Sequence, residues 1–253
     1  MTQDERQEKI LKLLERGSSY LVSDLASRFN VTGATIRNDI RLMESRHPLR
    51  RGHGTVTPVK LDVTDMPVDE KYKMHSEEKH GIGRLAASLI QEGNSVIITS
   101  GSSIESMARA FPDGSNINVV TSSVRVAGIL NSKNGLKIFM LGGRLVHNSV
   151  SVRDDYTLMG LDNIHANYLF FSCDGFDPES GITTAFPEEA RLTCKMMECA
   201  QEKILLADSS KLGKIGFGKI CNLSDIDILI TDSGLSPASR GRIEMSGVKV
   251  LIA

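Results

Sequence analysis

The sequence has little of what marks fibrous, membrane-spanning or strongly charged proteins. Its 22 Gly and 7 Pro among 253 residues are too few for a collagen-like or low-complexity chain. Apolar runs such as Tyr168–Phe171 are far shorter than the ~18 residues that a membrane span needs. Lys and Arg total 30 against 31 Asp and Glu, which gives a net charge of −1. Taken as a whole, that balance argues against binding to nucleic acid.

Cysteine is scarce, and its spacing indicates no metal site. The four cysteines stand at 173, 194, 199 and 221, without a Cys-x-x-Cys pair and without a histidine placed to complete a zinc site. The charged start of the chain lacks the apolar core of a signal peptide. We therefore expect a reduced, cytoplasmic protein that needs no cofactor and no metal. A redox pair of Cys194 and Cys199 is the alternative to two thiols buried in a helix.

Residues 1–57 have the pattern of a winged helix-turn-helix domain. Apolar residues at helical spacing predict three short helices, the third beginning at Gly33 with Thr32 as its cap. A tight turn over 30–32 separates the second helix from the third. Two short strands around a glycine-bearing turn follow and form the wing. In such domains the helix after the turn lies in the major groove of DNA.

The third helix and the wing carry side chains suited to duplex DNA. Asn38 can pair with an adenine edge, and Thr35 can contact a base or a thymine methyl group. Arginines can reach guanine or phosphate. The predicted DNA-binding residues are Thr32, Thr35, Arg37, Asn38, Arg41, Arg50, Arg51 and His53.

The charge of the first sixty residues differs from that of the rest. They hold 11 Lys and Arg against 7 Asp and Glu, net +4, and residues 33–60 alone hold 6 against 2; the remaining chain has net charge −5. A plain three-helix bundle with a solvated charged face does not explain this concentration. Single-stranded RNA binding would need stacking aromatics, and only Tyr20 and Phe29 are present, at expected core positions. A non-specific nucleoid protein would need a larger basic surface, so duplex DNA is favoured.

After a linker predicted over 58–76, residues 77–253 alternate strands with helices. This alternation predicts an α/β domain with a largely parallel sheet, whose ligands bind at the carboxyl ends of the strands. The predicted strands are Ser95–Thr99, Ile117–Thr121, Leu136–Leu141, Asn167–Ser172, Lys203–Ala207, Asp227–Thr231 and Lys249–Ile252.

The loops that follow these strands are rich in glycine and hydroxyl groups. A glycine turn that opens a helix, as at Gly101, can hold an anion such as phosphate on free N–H groups. Each loop alone has the composition of an ordinary turn, but their repetition after successive strands favours a polyol-phosphate pocket. The predicted effector-binding residues are Lys79, Gly101, Ser102, Ser103, Ser122, Gly142, Gly143, Asp174, Glu188, Asp208 and Lys211.

Segments of both predicted domains also resemble a known family. Val31–Ile40 and Leu49–Gly54 are similar to the recognition helix and wing of the DeoR family of bacterial sugar-responsive regulators. Gly101–Ser103 and Ser210–Gly213 are similar to loops of its sensor domain, with Lys79 and the nearby Lys71 as basic residues. One departure is Thr99, where the family usually has Asp.

The resemblance covers residues 4–252 and implies a sensor domain related in fold to ribose-5-phosphate isomerase. It implies a repressor that binds double-stranded operator DNA as a homo-oligomer, releases it on binding a phosphorylated sugar or polyol, and needs no membrane. The alternative is an enzyme: an aldose–ketose phosphate isomerase with Asp174 or Glu188 as base and Lys211 as electrostatic stabiliser.

Overall fold

A computed structural model describes residues 2–14, 20–44, 49–52, 54–58, 63, 65–113 and 116–253. The chain divides into two compact units, Met1–Leu61 and Asp62–Ala253. Within the described ranges, no helix has the length and apolar character to cross a membrane. Nor do the His, Cys, Asp and Glu side chains of these ranges form a group of three that could hold a metal ion.

The N-terminal unit has the predicted helix, turn, helix and wing. Helices α1, α2 and α3 span Gln3–Leu14, Val22–Phe29 and Gly33–Glu44. Strands β1 (Tyr20–Leu21), β2 (Leu49–Gly52) and β3 (Thr55–Pro58) form an antiparallel sheet in the order β1-β3-β2. In the core, the apolar faces of the three helices pack together with Val56 of β3. The buried residues are Ile10, Leu14, Val22, Leu25, Ile36, Ile40, Met43 and Val56.

The C-terminal unit begins with two helices and continues as alternating strands and helices. Its helices are α4 (Val68–Lys73), α5 (Ser76–Ala87), α6 (Ser102–Ala110), α7 (Val124–Leu130), α8 (Asp155–Met159), α9 (Pro187–Glu198) and α10 (Pro237–Glu244). Its strands are β4 (Ser95–Ile98), β5 (Ile117–Thr121), β6 (Leu136–Met140), β7 (Leu145–Val146), β8 (Ser151–Val152), β9 (Ala166–Ser172), β10 (Gly175–Asp177), β11 (Gly181–Thr184), β12 (Ala200–Leu206), β13 (Gly218–Cys221), β14 (Ile228–Thr231) and β15 (Lys249–Ile252).

Seven of these strands form one parallel sheet in the order β15-β14-β12-β9-β4-β5-β6. They are the seven strands that the sequence predicted; most ends agree or differ by one residue, and β12 begins three residues earlier than predicted. The chain winds outward from β4 through β5 to β6, then returns to the other side of β4 with β9 and continues to β15. The order therefore reverses between β4 and β9, and ligands bind α/β sheets at such a switch point.

Both faces of the sheet are buried at its central strands, as the apolar sequences of those strands require, whereas the edge strands are partly exposed. Ile97 faces one core cluster, whereas Val96 and Ile98 face the other, which α5 and α6 cover. A Cβ atom built on Gly83 of α5 would lie 2.6 Å from the backbone of Ser106 in α6. Only glycine permits this approach of the two helices.

Part of the linker predicted over 58–76 is a helix in the structure. Val68 is buried, and residues 68–73 form α4 within the C-terminal unit. Arg125 of α7 binds Asp69 of α4 together with Glu105 of α6, the latter at 2.9 Å. These partners lie far away in the sequence, which is why the local pattern did not reveal the helix.

Candidate functional site

The outer face of α3 is the candidate DNA-binding surface. Arg37, Asn38 and Arg41 are exposed, while the apolar stripe of the helix is buried. Arg41 donates to the side-chain oxygen of Asn38 at 2.9 Å, and the amide nitrogen of Asn38 keeps its capacity to donate. The exposed basic side chains here have the chemistry that contacts phosphates.

Thr32 and Thr35 hold the beginning of α3. The Thr32 hydroxyl accepts a hydrogen bond from the backbone N–H of Thr35 at 3.2 Å, which makes it the helix cap. The two hydroxyl oxygens lie 2.9 Å apart. The side chains of Arg50 and Arg51 and the whole of His53 lie outside what the structure describes.

A buried ion pair, which no local sequence pattern indicates, orients α3. Asp39 is fully buried and accepts from the Arg6 guanidinium of α1 at 2.5 and 3.1 Å. Gln3 adds a bond to the same carboxylate at 3.1 Å. The hydrogen bond to Asp39 raises the pKa of Arg6. Asp39 and Asn38 are neighbours, so this bond fixes the face that α3 turns outward.

A cleft of about 640 Å³, counted with its open mouth, lies at the switch point of the C-terminal sheet. Its floor comes from the segments that follow β4, β9 and β12. A carbonyl at the end of β4 and a hydroxyl at the end of β9 join across the switch, since Ser172 Oγ donates to the Ser100 oxygen at 2.9 Å. Gly101 has φ +127°, and a Cβ atom there would lie 2.3 Å from Ser172 Oγ. Glycine is therefore required at this turn.

One group of cleft residues, called the anion end below, has the chemistry of an anion site. Ser102 and Ser103 begin α6, both are nine-tenths buried, and neither hydroxyl has a hydrogen-bond partner in the described part of the chain. The first N–H groups of a helix are also unpaired and attract anions. Lys79 and Lys211 line the same cleft. An oxyanion placed here would meet hydroxyl, N–H and ammonium donors together.

Lys79 is held in place by the end of α4. It is almost fully buried, and its Nζ donates to the carbonyl oxygens of Lys71 and Met74, the second at 2.5 Å. Burial lowers the pKa of Lys79 to about 8, although the charge on Asp208 acts in the opposite direction. Asp208 is itself buried, and its Oδ2 has no partner among the described atoms. A ligand hydroxyl that reached this oxygen would find a free acceptor.

A second group of cleft residues, called the other end below, is a network of carboxylates and donors. Lys71 Nζ lies 2.6 Å from Asp174 Oδ1, and the Thr184 hydroxyl lies 3.0 Å from both Asp174 Oδ2 and Glu189 Oε2. Arg153 donates to Glu189 at 3.1 Å and stacks on the Phe186 ring. This arrangement offers both acceptors and donors to the hydroxyl groups of a polyol.

The two carboxylates of this network differ in acidity. Burial acts to raise the pKa of Asp174, but Lys71 and Lys211 outweigh it and hold that pKa below its ordinary value. Burial raises the pKa of Glu189, and the charge on Asp174 raises it further against the effect of Arg153. The Thr184 hydroxyl can donate its single proton to only one of the two carboxylates at a time. The difference in their pKa values is consistent with this arrangement.

Two family models match the chain. One, described as the DeoR-like helix-turn-helix domain, matches residues 6–60. The other, described as the DeoR C terminal sensor domain, matches residues 74–233, more than half of the chain. The chain belongs to the DeoR family.

Relatives of this DeoR-family protein match along nearly the whole chain. The uncharacterized HTH-type transcriptional regulator YulB of Bacillus subtilis is 35% identical over 97% of this chain and 95% of its own. The putative aga operon transcriptional repressor of Escherichia coli O157:H7 is 31% identical, covering 98% and 93%. The lactose phosphotransferase system repressor of Streptococcus mutans is 31% identical, covering 92% and 93%.

Solved structures show weaker likenesses. Ribose 5-phosphate isomerase A from Methanocaldococcus jannaschii has a TM-score of 0.40, 14% identity and 55% coverage of each chain. The probable sor operon regulator from Shigella flexneri has a TM-score of 0.44 and 13% identity, covering 68% of this chain and 89% of that one. The division into a winged helix-turn-helix domain and an α/β sensor domain follows from the family models and the sheet order.

The structure of the DeoR-family chain brings most of the predicted effector residues into the one cleft. These are Lys79, Gly101, Ser102, Ser103, Asp174, Asp208 and Lys211. Further side chains that were not predicted as effector contacts also line it, among them Arg153, Ser172, Thr184 and Glu189. Thr184 and Glu189 belong to β11 and α9, whose position only the fold defines.

Four predicted effector residues do not line the cleft. Ser122, Gly142 and Gly143 follow β5 and β6, which lie one and two strands beyond the switch point. Gly142 instead accepts from the Thr157 hydroxyl of α8 at 2.8 Å. Glu188 is exposed on the outer side of α9, and the next residue, Glu189, faces the cleft. Of the residues named for an isomerase, the cleft therefore contains Asp174 and Lys211.

Proposed function

We propose that this DeoR-family protein is a repressor of an operon for sugar or polyol catabolism, released from its operator by a phosphorylated sugar or polyol. The observation that carries the proposal is the cleft at the switch point. It combines an anion end with a hydroxyl end, in a chain whose first unit is a helix-turn-helix domain. The putative aga operon repressor and the lactose phosphotransferase system repressor among its relatives support a carbohydrate operon.

The phosphate group binds at the anion end. Ser102 and Ser103 donate hydroxyl and N–H groups there, and Lys211, which lines the same cleft and already acts on the charge of Asp174, adds an ammonium group. Lys79 supplies a second ammonium group, which is already desolvated. Desolvated donors bind a charged ligand more strongly than the same groups in water.

The hydroxyl groups bind at the other end. Asp174 is already bonded to Lys71, Thr184 and the N–H of Ala185, so it stays ionised and fixed as an acceptor. Glu189 and Arg153 lie on the far side of Thr184. A sugar or polyol can add hydrogen bonds from its hydroxyl groups to this network, which inorganic phosphate cannot make, so inorganic phosphate should be a poor effector.

Release from DNA requires that the effector bind the two states of the protein with different affinity. Lys71 lies on α4, the first helix described after the DNA-binding domain along the chain. Lys71 contributes its side chain to Asp174 and its carbonyl oxygen to Lys79. A ligand that draws Lys79 or Asp174 toward itself changes both contacts and therefore the position of α4.

The test uses the full chain, DNA from upstream of its own gene, and a panel of sugar and polyol phosphates. Thermal shift identifies the effector, since a ligand of the folded state raises the melting temperature, and fluorescence anisotropy then measures release of DNA. Lys211→Ala should bind DNA normally but need at least about tenfold more effector. Lys219→Ala is the matched control, because Lys219 is exposed and bonded to Asn222.

Two results would contradict the proposal. One is a panel in which no phosphorylated sugar or polyol shifts the melting temperature or the DNA affinity. The other is turnover of a pentose or hexose phosphate by the purified protein, which would favour the isomerase. Unchanged release by Lys211→Ala would show that the phosphate binds elsewhere.

A further inference from the structure

Strand β6 lies at one edge of the parallel sheet. It pairs with β5 alone among the described strands. The Leu141 N–H donates to the Thr121 oxygen of β5, and the Gly135 oxygen accepts from Ile117. Since successive residues of a strand direct their N–H and C=O groups to opposite sides, the intervening residues Leu136, Ile138 and Met140 direct theirs outward. An edge of this kind is a template for pairing with another strand.

The exposed side chains along this edge are more apolar than is usual for an edge strand in contact with water. Phe139 is 54% exposed and Met140 is 40% exposed. Leu136 and Ile138 are half-buried against the core cluster under the sheet. Lys137 carries the one charge of the strand. Soluble proteins protect such edges with charges, proline or a covering element, and β6 has one lysine.

Apolar exposure continues in the elements that follow β6. Leu145 of β7 is exposed, as are Tyr156 and Met159, which stand one helical turn apart on α8. The Thr157 hydroxyl of α8 binds the Gly142 carbonyl, two residues beyond the end of β6. The edge therefore joins a wider apolar surface, of the kind that marks a protein interface.

We propose that β6 pairs antiparallel with β6 of a second copy, about a two-fold axis through Ile138. This register places Ile138 opposite Ile138, Leu136 opposite Met140, and Lys137 opposite Phe139. Every residue whose backbone groups point outward then faces another such residue, so all of them form hydrogen bonds. A two-fold interface must be self-complementary in this way.

The side chains favour the same register. Leu136, Ile138 and Met140 share one face of the strand, so their copies extend one apolar surface across the junction. On the other face each Lys137 lies beside the Phe139 ring of the partner, where an ammonium group is attracted to the aromatic face. An axis through Lys137 would place two ammonium groups directly opposite, which destabilises a sheet. An axis through Phe139 would place Leu136 opposite Gly142, outside the strand.

The opposite edge of the sheet, formed by β15, is less open than the β6 edge. Val250 of β15 is buried, and a Cβ atom on Gly81 of α5 would lie 3.4 Å from Ala253, so a helix packs beside the end of β15. The choice of a second copy as the occupant rests in part on the proposed function, because helix-turn-helix proteins read paired half-sites as dimers. The self-complementary register stands independently of that function.

A cysteine crosslink tests the register in the full chain. Ile138→Cys places two thiols on the axis, where hydrogen-bonded Cα atoms are about 5.5 Å apart and a disulfide fits. Under mild oxidation this variant should run as a covalent dimer on a non-reducing gel. The controls are the natural chain, whose four cysteines are buried or half-buried, and Lys249→Cys on the exposed part of β15. Neither control should form the dimer.

Charge reversal tests the pairing of Lys137 with Phe139 by sedimentation. Phe139→Lys places a lysine opposite each Lys137 and should weaken the dimer at least about tenfold. Adding Lys137→Glu should restore the dimer, since each introduced carboxylate then faces an introduced ammonium group of the partner. A folding defect in Phe139→Lys would not be repaired by a second surface change, so recovery in the double variant is the specific result.

Three outcomes would overturn the interface: a natural chain that stays monomeric at micromolar concentration, a crosslink at 249 in place of 138, or a Phe139→Lys variant that dimerises as before. Failure of the proposed function is a separate result. If no sugar phosphate shifts the melting temperature while Ile138→Cys still crosslinks, the interface stands and the effector proposal fails.

Discussion

Effector binding should take up a proton near pH 8, because Lys79 is buried where the phosphate is proposed to bind. Burial lowers the pKa of Lys79 from 10.5 to about 8. A phosphate beside the ammonium favours its charged form and raises that pKa again. Phosphate itself loses its second proton near pH 6, so above pH 7 the proton taken up belongs to the protein.

The size of the uptake follows from the two pKa values. If the bound pKa is about 10, uptake should be about 0.1 proton per site at pH 7, about 0.5 at pH 8 and about 0.8 at pH 9. Affinity should therefore fall as pH rises through 8. The folding stability of the effector-free protein should change with pH in the opposite direction. Between pH 8 and 10.5 the unfolded state binds more protons at this lysine than the folded state does, so Lys79 makes stability rise with pH across that window.

Calorimetry in two buffers with different ionisation enthalpies measures the uptake directly. The natural chain should follow the series above at pH 7, 8 and 9. Lys79→Met should take up no proton at pH 8, while Lys219→Met, a change at an exposed position, should match the natural chain. Absence of uptake at pH 8, or equal uptake in Lys79→Met, would refute the reasoning. Titration of the free Lys79 ammonium near 10.5 by NMR would refute its premise.

The N-terminal domain offers two further predictions. Asp39→Asn leaves the charge of the buried Arg6 without its carboxylate and should destabilise this domain by about 3–5 kcal/mol. The measurement is faster hydrogen exchange in α1 and α3, and unchanged exchange would contradict the prediction. The pair Arg6→Met with Asp39→Leu should restore most of the lost stability. Asn38→Ala should lower discrimination at one base pair by about 1–3 kcal/mol, whereas Arg41→Ala should weaken binding to all sequences and reduce the salt slope by about one. Equal losses at operator and random DNA for Asn38→Ala would exclude a base-reading role.

Local patterns predicted the elements of this protein well. The stripe of Ile36, Ile40 and Met43 defines α3 because a helix must bury one face. The apolar runs became parallel strands because both faces of the sheet are covered at its central strands. Charge counted by segment separated a basic domain from an acidic one. None of these signals requires knowledge of distant contacts.

Elements stabilised by distant partners were not predicted from the sequence. Helix α4 lay inside the predicted linker because its polar sequence has no apolar stripe, and its stability comes from Asp174, Arg125 and Lys79. The ion pair of Arg6 with Asp39 spans 33 positions. Their charges are visible in the sequence, but their pairing is not.

The sequence by itself determined the two-domain organisation, the recognition helix and the loops that hold most of the cleft, because these depend on residue type and short-range period. The tertiary structure decided which loops meet. The strand order places the ends of β4, β9 and β12 at the switch point, brings Glu189 in and leaves Glu188, Ser122, Gly142 and Gly143 outside. Strand order results from long-range pairing, and no local pattern encodes it.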